Sequence, residues 1–249
     1  MKKVLLLTTF VLAIASLVVA QDSRMPQASL DRETGIISHP HVGQTVRTPG
    51  APKFCKPCLF YAGDFDSNAS DANGLANEVD VIVSQAGTYA PFVVKKGATW
   101  TVTGLLGTNF MSSATLSPTT SPYEVRKGVK SGSGGKLVCH GTKKNKVTDT
   151  GLNDFGYEIY AVAVPVKNCT LKAGKYWQDV VPYCTDSNTC SNFRSFLTND
   201  DGAMAHKFGG TEPANDSFFN STYFGATWQP SSDQQSSARF TIGVEGKSN

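Results

Sequence analysis

Long apolar runs are missing from the chain after its first twenty residues. No stop-transfer segment follows them, and the last six residues, 244–249, are largely polar and offer no hydrophobic anchor. A helix needs about 20 consecutive apolar residues to cross a bilayer. We therefore expect the mature protein to have no membrane span.

A strong excess of one charge is also missing. The chain contains 23 Lys and Arg residues and 20 Asp and Glu residues, which gives a formal net charge of +3 at pH 7. Removal of a signal peptide that carries Lys2 and Lys3 leaves the mature chain almost neutral. A neutral chain gives no electrostatic reason to expect nucleic acid or an anionic membrane as a partner.

The common catalytic motifs are absent as well. The sequence has no Gly-x-Ser-x-Gly, no His-Glu-x-x-His and no P-loop pattern, which argues against the enzyme classes that carry them. Paired carboxylates for glycoside hydrolysis stay open, because their geometry is set in space rather than in sequence. Asp179, beside Trp177, and Glu158, beside Tyr160, are where such a pair would be sought, but we assign no catalytic residue.

The first twenty residues have the pattern of a secretory signal peptide. Lys2 and Lys3 form a basic start, residues 4–19 are almost wholly apolar, and small residues precede Gln21. This pattern predicts cleavage near residue 20 and a secreted or periplasmic protein. Residues 21–54 are rich in proline and show no sustained period, so we expect a poorly ordered lead-in to a domain over residues 55–249.

Six cysteines in an exported chain predict three disulfides, although six cysteines allow 15 pairings. We favour local pairing, which gives Cys55–Cys58, Cys184–Cys190 and, for the remaining two, Cys139–Cys169. A redox function for the first pair is the alternative. It would need a strand before the motif and a helix after it, whereas prolines crowd the motif and a strand-like stretch follows it.

Apolar and polar residues alternate in several stretches that are separated by glycine-rich turns. Clear examples of this alternation are residues 79–83, 99–103, 123–126 and 239–244. Such a period is typical of strands with one face on a core and one face in water, and no long helical stripe or internal repeat accompanies it. The pattern predicts an all-β fold, an antiparallel β-sandwich of jelly-roll-like form that is stapled by disulfides. We read residues 185–216 as a long polar excursion.

Several blocks of the sequence resemble a group of secreted bacterial proteins, mostly uncharacterised, which consist of single β-sandwich domains and sometimes carry C-terminal sorting tails. These blocks are residues 73–78, 98–104, 123–129 with Gly135, 171–177 and 218–226. The resemblance extends over most of the mature chain. It implies the same fold and compartment, and it transfers no catalytic residue. The chain lacks a sorting tail, so it gives no support for attachment to the cell.

An acidic stretch before residue 79 is a candidate calcium site. Its opening spacing is that of an EF-hand loop, but Ala69 stands where that loop needs glycine and Leu75 where it needs glutamate. A calcium site of another kind stays possible. Its ligands would be Asp64, Asp66, Asn68, Asp71 and Glu78. The alternative, which we prefer, is a solvated polar turn.

Aromatic residues suggest a second kind of site. Sugar rings pack their apolar faces on exposed aromatic rings, and nearby polar groups orient the hydroxyls. The candidates for such a site are Trp228, Tyr223, Asn220 and Trp177. Core filling is the alternative, and we prefer it for Trp100 and Trp177; Trp228 lies in a loop-like context and is the ring most expected to be exposed.

Three classes of function remain open on sequence alone. The first is a non-catalytic secreted protein that binds a carbohydrate or another ligand at an extracellular surface, and it is the one that we favour. The second is a structural or interaction protein of the cell exterior, which would show an exposed apolar patch and no aromatic cleft. The third is an extracellular hydrolase, which would show two close carboxyl groups, at least one with a strongly raised pKa.

Overall fold

The computed structural model describes residues 55–65, 73–200, 217–234 and 239–249 in full, and the backbone of residues 29–31 and 36–38. In chain order, the strands of these residues are β1 (Ser29–Asp31), β2 (Ile36–Ser38), β3 (Cys58–Tyr61), β4 (Asn73–Ala76), β5 (Val79–Asp80), β6 (Gly87–Met111), β7 (Thr120–Lys127), β8 (Lys136–Lys144), β9 (Lys146–Asp154), β10 (Tyr157–Val180), β11 (Tyr183–Cys184), β12 (Ser195–Thr198), β13 (Phe218–Ser221), β14 (Ala226–Pro230) and β15 (Ile242–Ser248). A short α-helix, α1 (Ser187–Cys190), and a 3-10 helix at Ser231–Asp233 accompany them.

Two very long antiparallel strands, β6 and β10, run through both layers of a sandwich. The second half of β6 and the first half of β10 form the centre of the first layer, with β9 on one side and β15, β3, β12 and β4 on the other. The first half of β6 and the second half of β10 form the centre of the second layer, between β13 with β14 and β7 with β8.

Both long strands change direction at irregularities in their pairing. The register of β10 against β6 shifts between Lys172 and Gly174, and again between Pro165 and Cys169. Gly97 lies at the corresponding bend of β6 with φ of 86°, a left-handed conformation that glycine adopts without steric cost. Bulges of this kind bend a strand and increase its twist, and here they let one strand pass from one layer to the other.

The main core lies between the two layers. The ring of Phe92, in the first half of β6, stacks at 6.0 Å on Trp100, in the second half of the same strand, and at 6.1 Å on Phe60 of β3. The buried Gln178 amide donates hydrogen bonds from the second layer to the Leu106 and Gly243 carbonyls of the first. Apolar packing and a buried polar cross-link thus hold the layers together.

Three disulfides staple the sandwich, and their pairing confirms the local scheme. Cys55–Cys58 closes the turn before β3, and Cys184–Cys190 ties β11 to α1. Cys139–Cys169 links β8, in the second layer, to β10 where that strand passes through the first. The prediction of an all-β, antiparallel, disulfide-stapled sandwich is therefore confirmed. Three disulfides are typical of proteins from an oxidising compartment.

The strand predicted over residues 79–83 is wrong beyond Asp80. Both the Ile82 and Val83 N–H groups donate to Asp80 Oδ1 at 2.7 Å, which closes a tight turn and ends β5 after two residues. Val81 and Ile82 are consequently exposed, although the alternation placed Val81 in the core. β5 pairs in parallel with β11, unlike the antiparallel pairs elsewhere among the described strands.

Residues 185–216, which we expected to form one long polar segment outside the sheets, include a buried strand. After α1 the chain re-enters the sheet as β12. All four residues of β12 are buried, and the strand lies between β6 and β4 and pairs with both. Within the part of the chain that the structure describes, no helix is long and apolar enough to cross a membrane. The predicted signal peptide and most of the lead-in lie outside the described residues.

Candidate functional site

A pocket of about 470 Å³ opens on the outer face of the second layer. It lies where β6, β7 and β10 meet, with the turn after β5 and strands β8 and β11 completing its wall. Its lining residues are Val79, Ser84, Gln85, Tyr89, Pro122, Tyr123, Glu124, Thr142, Asp179, Val181 and Tyr183. The wall thus combines apolar and aromatic surface with a few polar groups, as small-molecule sites usually do.

Strand alternation explains why particular side chains reach this outer face. Val125 of β7 and Tyr176 of β10 belong to the main core, so their neighbours in sequence point outward. Glu124 and Arg126 are the outward residues of β7, and Asp179 is the outward residue at the end of β10. The polar positions of the alternating sequence therefore supply the charged groups of the pocket.

Glu124 and Asp179 form the acidic centre of the pocket, because they are paired directly across β7 and β10. Residues opposite one another in an antiparallel pair have Cβ atoms about 4.5–5.5 Å apart. Burial is the main cause that holds the pKa of Asp179 well above its usual value, and the negative charge of Glu124 adds to the effect. Asp179 is consequently a neutral carboxylic acid at pH values where an exposed aspartate is ionised.

The Glu124 carboxylate is positioned by two donors on the same face. The Arg126 Nε–H donates to Glu124 Oε2 at 2.5 Å, and the Tyr89 hydroxyl donates to the same oxygen at 2.9 Å. Glu124 itself is only partly buried, with 29% of its side chain exposed. The pocket thus contains an oriented carboxylate that a ligand can reach.

Asp179 lies opposite Glu124 and is only 1% exposed. Neither of its carboxyl oxygens accepts a hydrogen bond of good geometry from any residue that the structure describes. The nearby Asn77 side chain and the Val180 backbone lower the pKa of Asp179 and so offset part of the rise. The Asn77 amide also donates to the Asn109 side chain and the Val180 carbonyl. Gly87 packs directly against this carboxyl group: a Cβ atom there would lie 2.6 Å from Asp179 Oδ2.

Two of the four predicted ligand-binding residues, Trp177 and Trp228, belong to an aromatic cluster next to the pocket. The cluster consists of Tyr89, Val129, Trp177, Phe218 and Trp228. Trp177 is 5% exposed and packs edge-on against Phe218, so its ring is not a platform for a ligand. Trp228 lies on β14 rather than in a loop, half-buried between Tyr89 at 4.5 Å and the Arg126 guanidinium at 4.9 Å.

The other two predicted ligand-binding residues lie near the turn that follows β5. Tyr223 is 48% exposed, and Asn220 is half-buried on β13 and pairs with Gly87. The Ser84 hydroxyl, in the pocket wall, lies 3.2 Å from that of Thr222. Tyr223 therefore follows a residue that touches the pocket wall, and it is the most exposed of the four predicted side chains.

The structure describes two of the candidate calcium ligands, Glu78 and Asp64, and gives each a partner within the protein. Glu78 is fully buried, and its two oxygens accept hydrogen bonds from the Arg194 guanidinium and from the Ser195 N–H at 2.7 Å. Glu78 thus takes part in a buried ion pair, and its role as a metal ligand stays a prediction. Asp64 is buried and accepts a hydrogen bond from the Tyr61 hydroxyl.

The remaining three calcium candidates, Asp66, Asn68 and Asp71, lie outside the described residues, so the loop stays a prediction. Across the described ranges, no group of three or more His, Cys, Asp or Glu side chains is arranged to hold a metal ion. Burial raises the pKa of Glu78 to about 7 in spite of the Arg194 charge.

Sequence reasoning named Asp179 but missed its partner Glu124 and the tyrosine that orients it. Glu124 and Arg126 were visible as the polar residues of an alternating stretch. Such residues are usually only solvated, and no local signal gives the register that sets Glu124 opposite Asp179. The predicted alternative pair member, Glu158, is exposed at the other end of β10, opposite Met111.

Chemically, the Glu124 carboxylate of the pocket can accept hydrogen bonds, and the hydroxyl groups of the lining residues can both donate and accept them. The tyrosine and valine side chains of the lining offer apolar surface. The comparisons with known proteins add no further assignment. No family model matches the chain, and neither a curated protein sequence nor a solved structure matches it.

Proposed function

We propose that this chain is an exported, non-catalytic carbohydrate-binding protein that takes a neutral sugar unit into the pocket between β6, β7 and β10. The observation that carries the proposal is the oriented Glu124 carboxylate in a concave, partly aromatic pocket. Sugar recognition uses such a combination, with apolar surface for the C–H faces and a few fixed polar groups for the hydroxyls. Export is supported by the apolar leader and by the three disulfides.

The charge of the pocket favours a neutral ligand. Glu124 carries the negative charge of the site, and Arg126, which pairs with it, is itself packed against the Trp228 ring. An anionic sugar would meet the Glu124 carboxylate directly and be repelled by its charge. A hydroxyl group, by contrast, donates a hydrogen bond to a carboxylate with favourable energy.

A binding screen with blocked and unblocked pockets tests this proposal. Neutral gluco-, xylo-, manno- and galacto-configured hexasaccharides are the probes, and isothermal titration calorimetry is the readout. Thr142→Trp should abolish binding, because Thr142 is an exposed residue of the pocket wall and an indole there fills the cavity.

The matched control for the blocking variant is Thr170→Trp, at an exposed position of β10 opposite Thr101 and outside the pocket lining. It should leave the affinity unchanged. Equal binding by the two variants, or no binding of any neutral probe by the wild-type protein, contradicts the proposal.

A second candidate function is glycoside hydrolysis, and one observation favours it. Glu124 and Asp179 are a cross-strand pair in which the first carboxyl group is ion-paired with Arg126 and burial raises the pKa of the second. A neutral acid facing a carboxylate across a short gap is the arrangement of many glycosidases. The near-complete burial of Asp179 weighs against it, because the acid must reach the glycosidic oxygen.

Release of reducing ends from the same neutral probes separates the two candidates. A binding protein produces no reducing ends on prolonged incubation. Hydrolysis that is lost in both Glu124→Gln and Asp179→Asn, and kept in Glu158→Gln, would replace the binding proposal by the enzymatic one.

A further inference from the structure

The near-neutral charge of the whole chain conceals a strongly basic end of the sandwich. The bends of β6 and β10, the turn between β7 and β8, and the end of β15 carry seven exposed lysines, which we call the basic end. They are Lys95, Lys96, Lys127, Lys130, Lys136, Lys172 and Lys247. The segments that carry them, residues 91–101, 126–137, 170–177 and 246–249, contain no Asp or Glu.

Strand pairing brings these segments together. Lys172 is opposite Thr99, and Lys247 is opposite Thr101, so β10, β6 and β15 end side by side. Lys127 is paired with Lys136, which adds β7 and β8 to the same end. The two groups meet at Gly174, where a Cβ atom would lie 3.4 Å from Lys127 Nζ and whose partner on β6 is Val94.

Such a lysine-rich surface repels its own charges and gains free energy when a polyanion binds and releases its counterions. The structure concentrates lysines here while the acidic residues of the pocket lie several residues away along the same strands, at Glu124 and Asp179. The lysine-rich end is thus a local feature that the net charge of the chain does not reveal.

We infer that the basic end is a second binding site, which takes an anionic polysaccharide whose carboxylate or sulfate groups lie across the lysines. Two features favour this partner over other polyanions. The rings at this end are covered. Tyr176 and Trp177 are buried beneath Lys127 and Lys175. Trp228, which contacts Gly134 in the turn between β7 and β8, is packed between Tyr89 and the Arg126 guanidinium, so no ring here offers a free face for a base as single-stranded nucleic acids require.

The second feature is the absence of exposed large apolar side chains at the basic end. Those found among the described residues, Val81, Ile82 and Tyr223, belong to the turn after β5 and the neighbouring turn after β13. Insertion into a lipid surface needs apolar groups beside the cations. Lysines without such groups suit a hydrated, flexible anionic chain, because an ammonium is a compact and strongly hydrated charge.

The test uses polygalacturonate and dextran sulfate as probes, with neutral dextran for comparison, and measures affinity over a range of salt concentrations. Lys95→Gln, Lys96→Gln and Lys172→Gln are combined in one variant. It should lose affinity about tenfold or more at low salt, and its salt dependence should become less steep because fewer counterions are released.

The control variant combines Lys143→Gln, Lys144→Gln and Lys146→Gln, which remove the same charge from exposed positions beside the turn between β8 and β9. It should bind the anionic probes almost as the wild type does. An equal loss in both variants contradicts the inference, since net charge alone would then explain binding.

Two further measurements test whether the basic end binds separately from the pocket and whether it prefers a polysaccharide to other polyanions. Blocking the pocket with Thr142→Trp should leave the affinity for the anionic probes unchanged, and a loss there contradicts a separate site. Duplex DNA and vesicles with anionic lipids are offered at the same salt concentration. Preferential binding to either overturns the assignment of a polysaccharide.

Discussion

At the scale of single residues, the buried Asp179 makes its own contribution to how the stability of the protein responds to pH. Its folded-state pKa is raised by burial and by Glu124, whereas the unfolded chain has the usual value near 3.8. Below that value both states are protonated and stability is unaffected. As pH rises above it, the unfolded state loses its proton first, so this group's contribution to stability falls until the folded-state pKa is reached.

Asp179→Asn removes this titration while keeping the shape of the side chain. The variant should therefore gain stability relative to the wild type between pH 4 and neutral pH, by about 1.4 kcal/mol for each pKa unit of the shift crossed. Urea unfolding of both proteins across that range measures the difference. A difference in stability that does not change with pH contradicts the neutral state of Asp179.

The ion pair between Arg194 and Glu78 is the second residue-scale feature with a large consequence. Arg194→Met leaves the Glu78 carboxyl group buried without its guanidinium partner, and it should cost about 3–5 kcal/mol of unfolding free energy. The double variant with Glu78→Gln should recover part of the loss, because no charge is then buried alone. Full additivity of the two changes in urea unfolding argues against direct coupling of the pair.

At the scale of the elements, the disulfides differ in how much of the chain they constrain. Cys139–Cys169 closes a separation of 30 residues and joins the two layers, whereas Cys184–Cys190 closes 6 residues. In the chain-entropy account, replacing the first pair by alanine should cost about 3–4 kcal/mol and the second about 2 kcal/mol. Urea unfolding of the two double variants gives the comparison, and the reverse order contradicts the role of Cys139–Cys169 as the cross-layer link.

The elements also show which parts of the fold are readable from the sequence. Alternation predicted β7 and the Trp100 segment of β6, because each of these has one buried and one wetter face. The strand that alternation predicted over residues 81–83 is not formed, because the Asp80 side chain accepts hydrogen bonds from two N–H groups there and the strand ends. The alternation pattern also did not indicate that β6 and β10 run continuously through both layers. A bend within one strand, as at Gly97, has the same sequence pattern as a turn between two separate strands.

At the scale of the whole molecule, contacts between residues far apart in the chain determine the partners of the charged side chains, which the sequence does not reveal. Glu78 was a reasonable metal ligand in sequence, but Arg194, 116 residues away, is its partner in space. Glu124 and Asp179 are likewise far apart in the chain and meet only through the pairing of β7 with β10. The gathering of seven lysines at the bends of β6 and β10 is likewise a property of the fold, which the number of charged residues in the sequence does not reveal.

Titration of the neutral hexasaccharides into Glu124→Gln and Glu158→Gln is the decisive test of the claim that the Glu124 pocket binds a neutral sugar. Both variants remove one carboxylate from an outward position, but Glu158 lies outside the pocket lining. Loss of a hydrogen bond to a charged group costs about 1.5–3 kcal/mol, so Glu124→Gln should weaken binding at least about tenfold. Glu158→Gln should bind as the wild type does. Equal affinities of the two variants would contradict the claim.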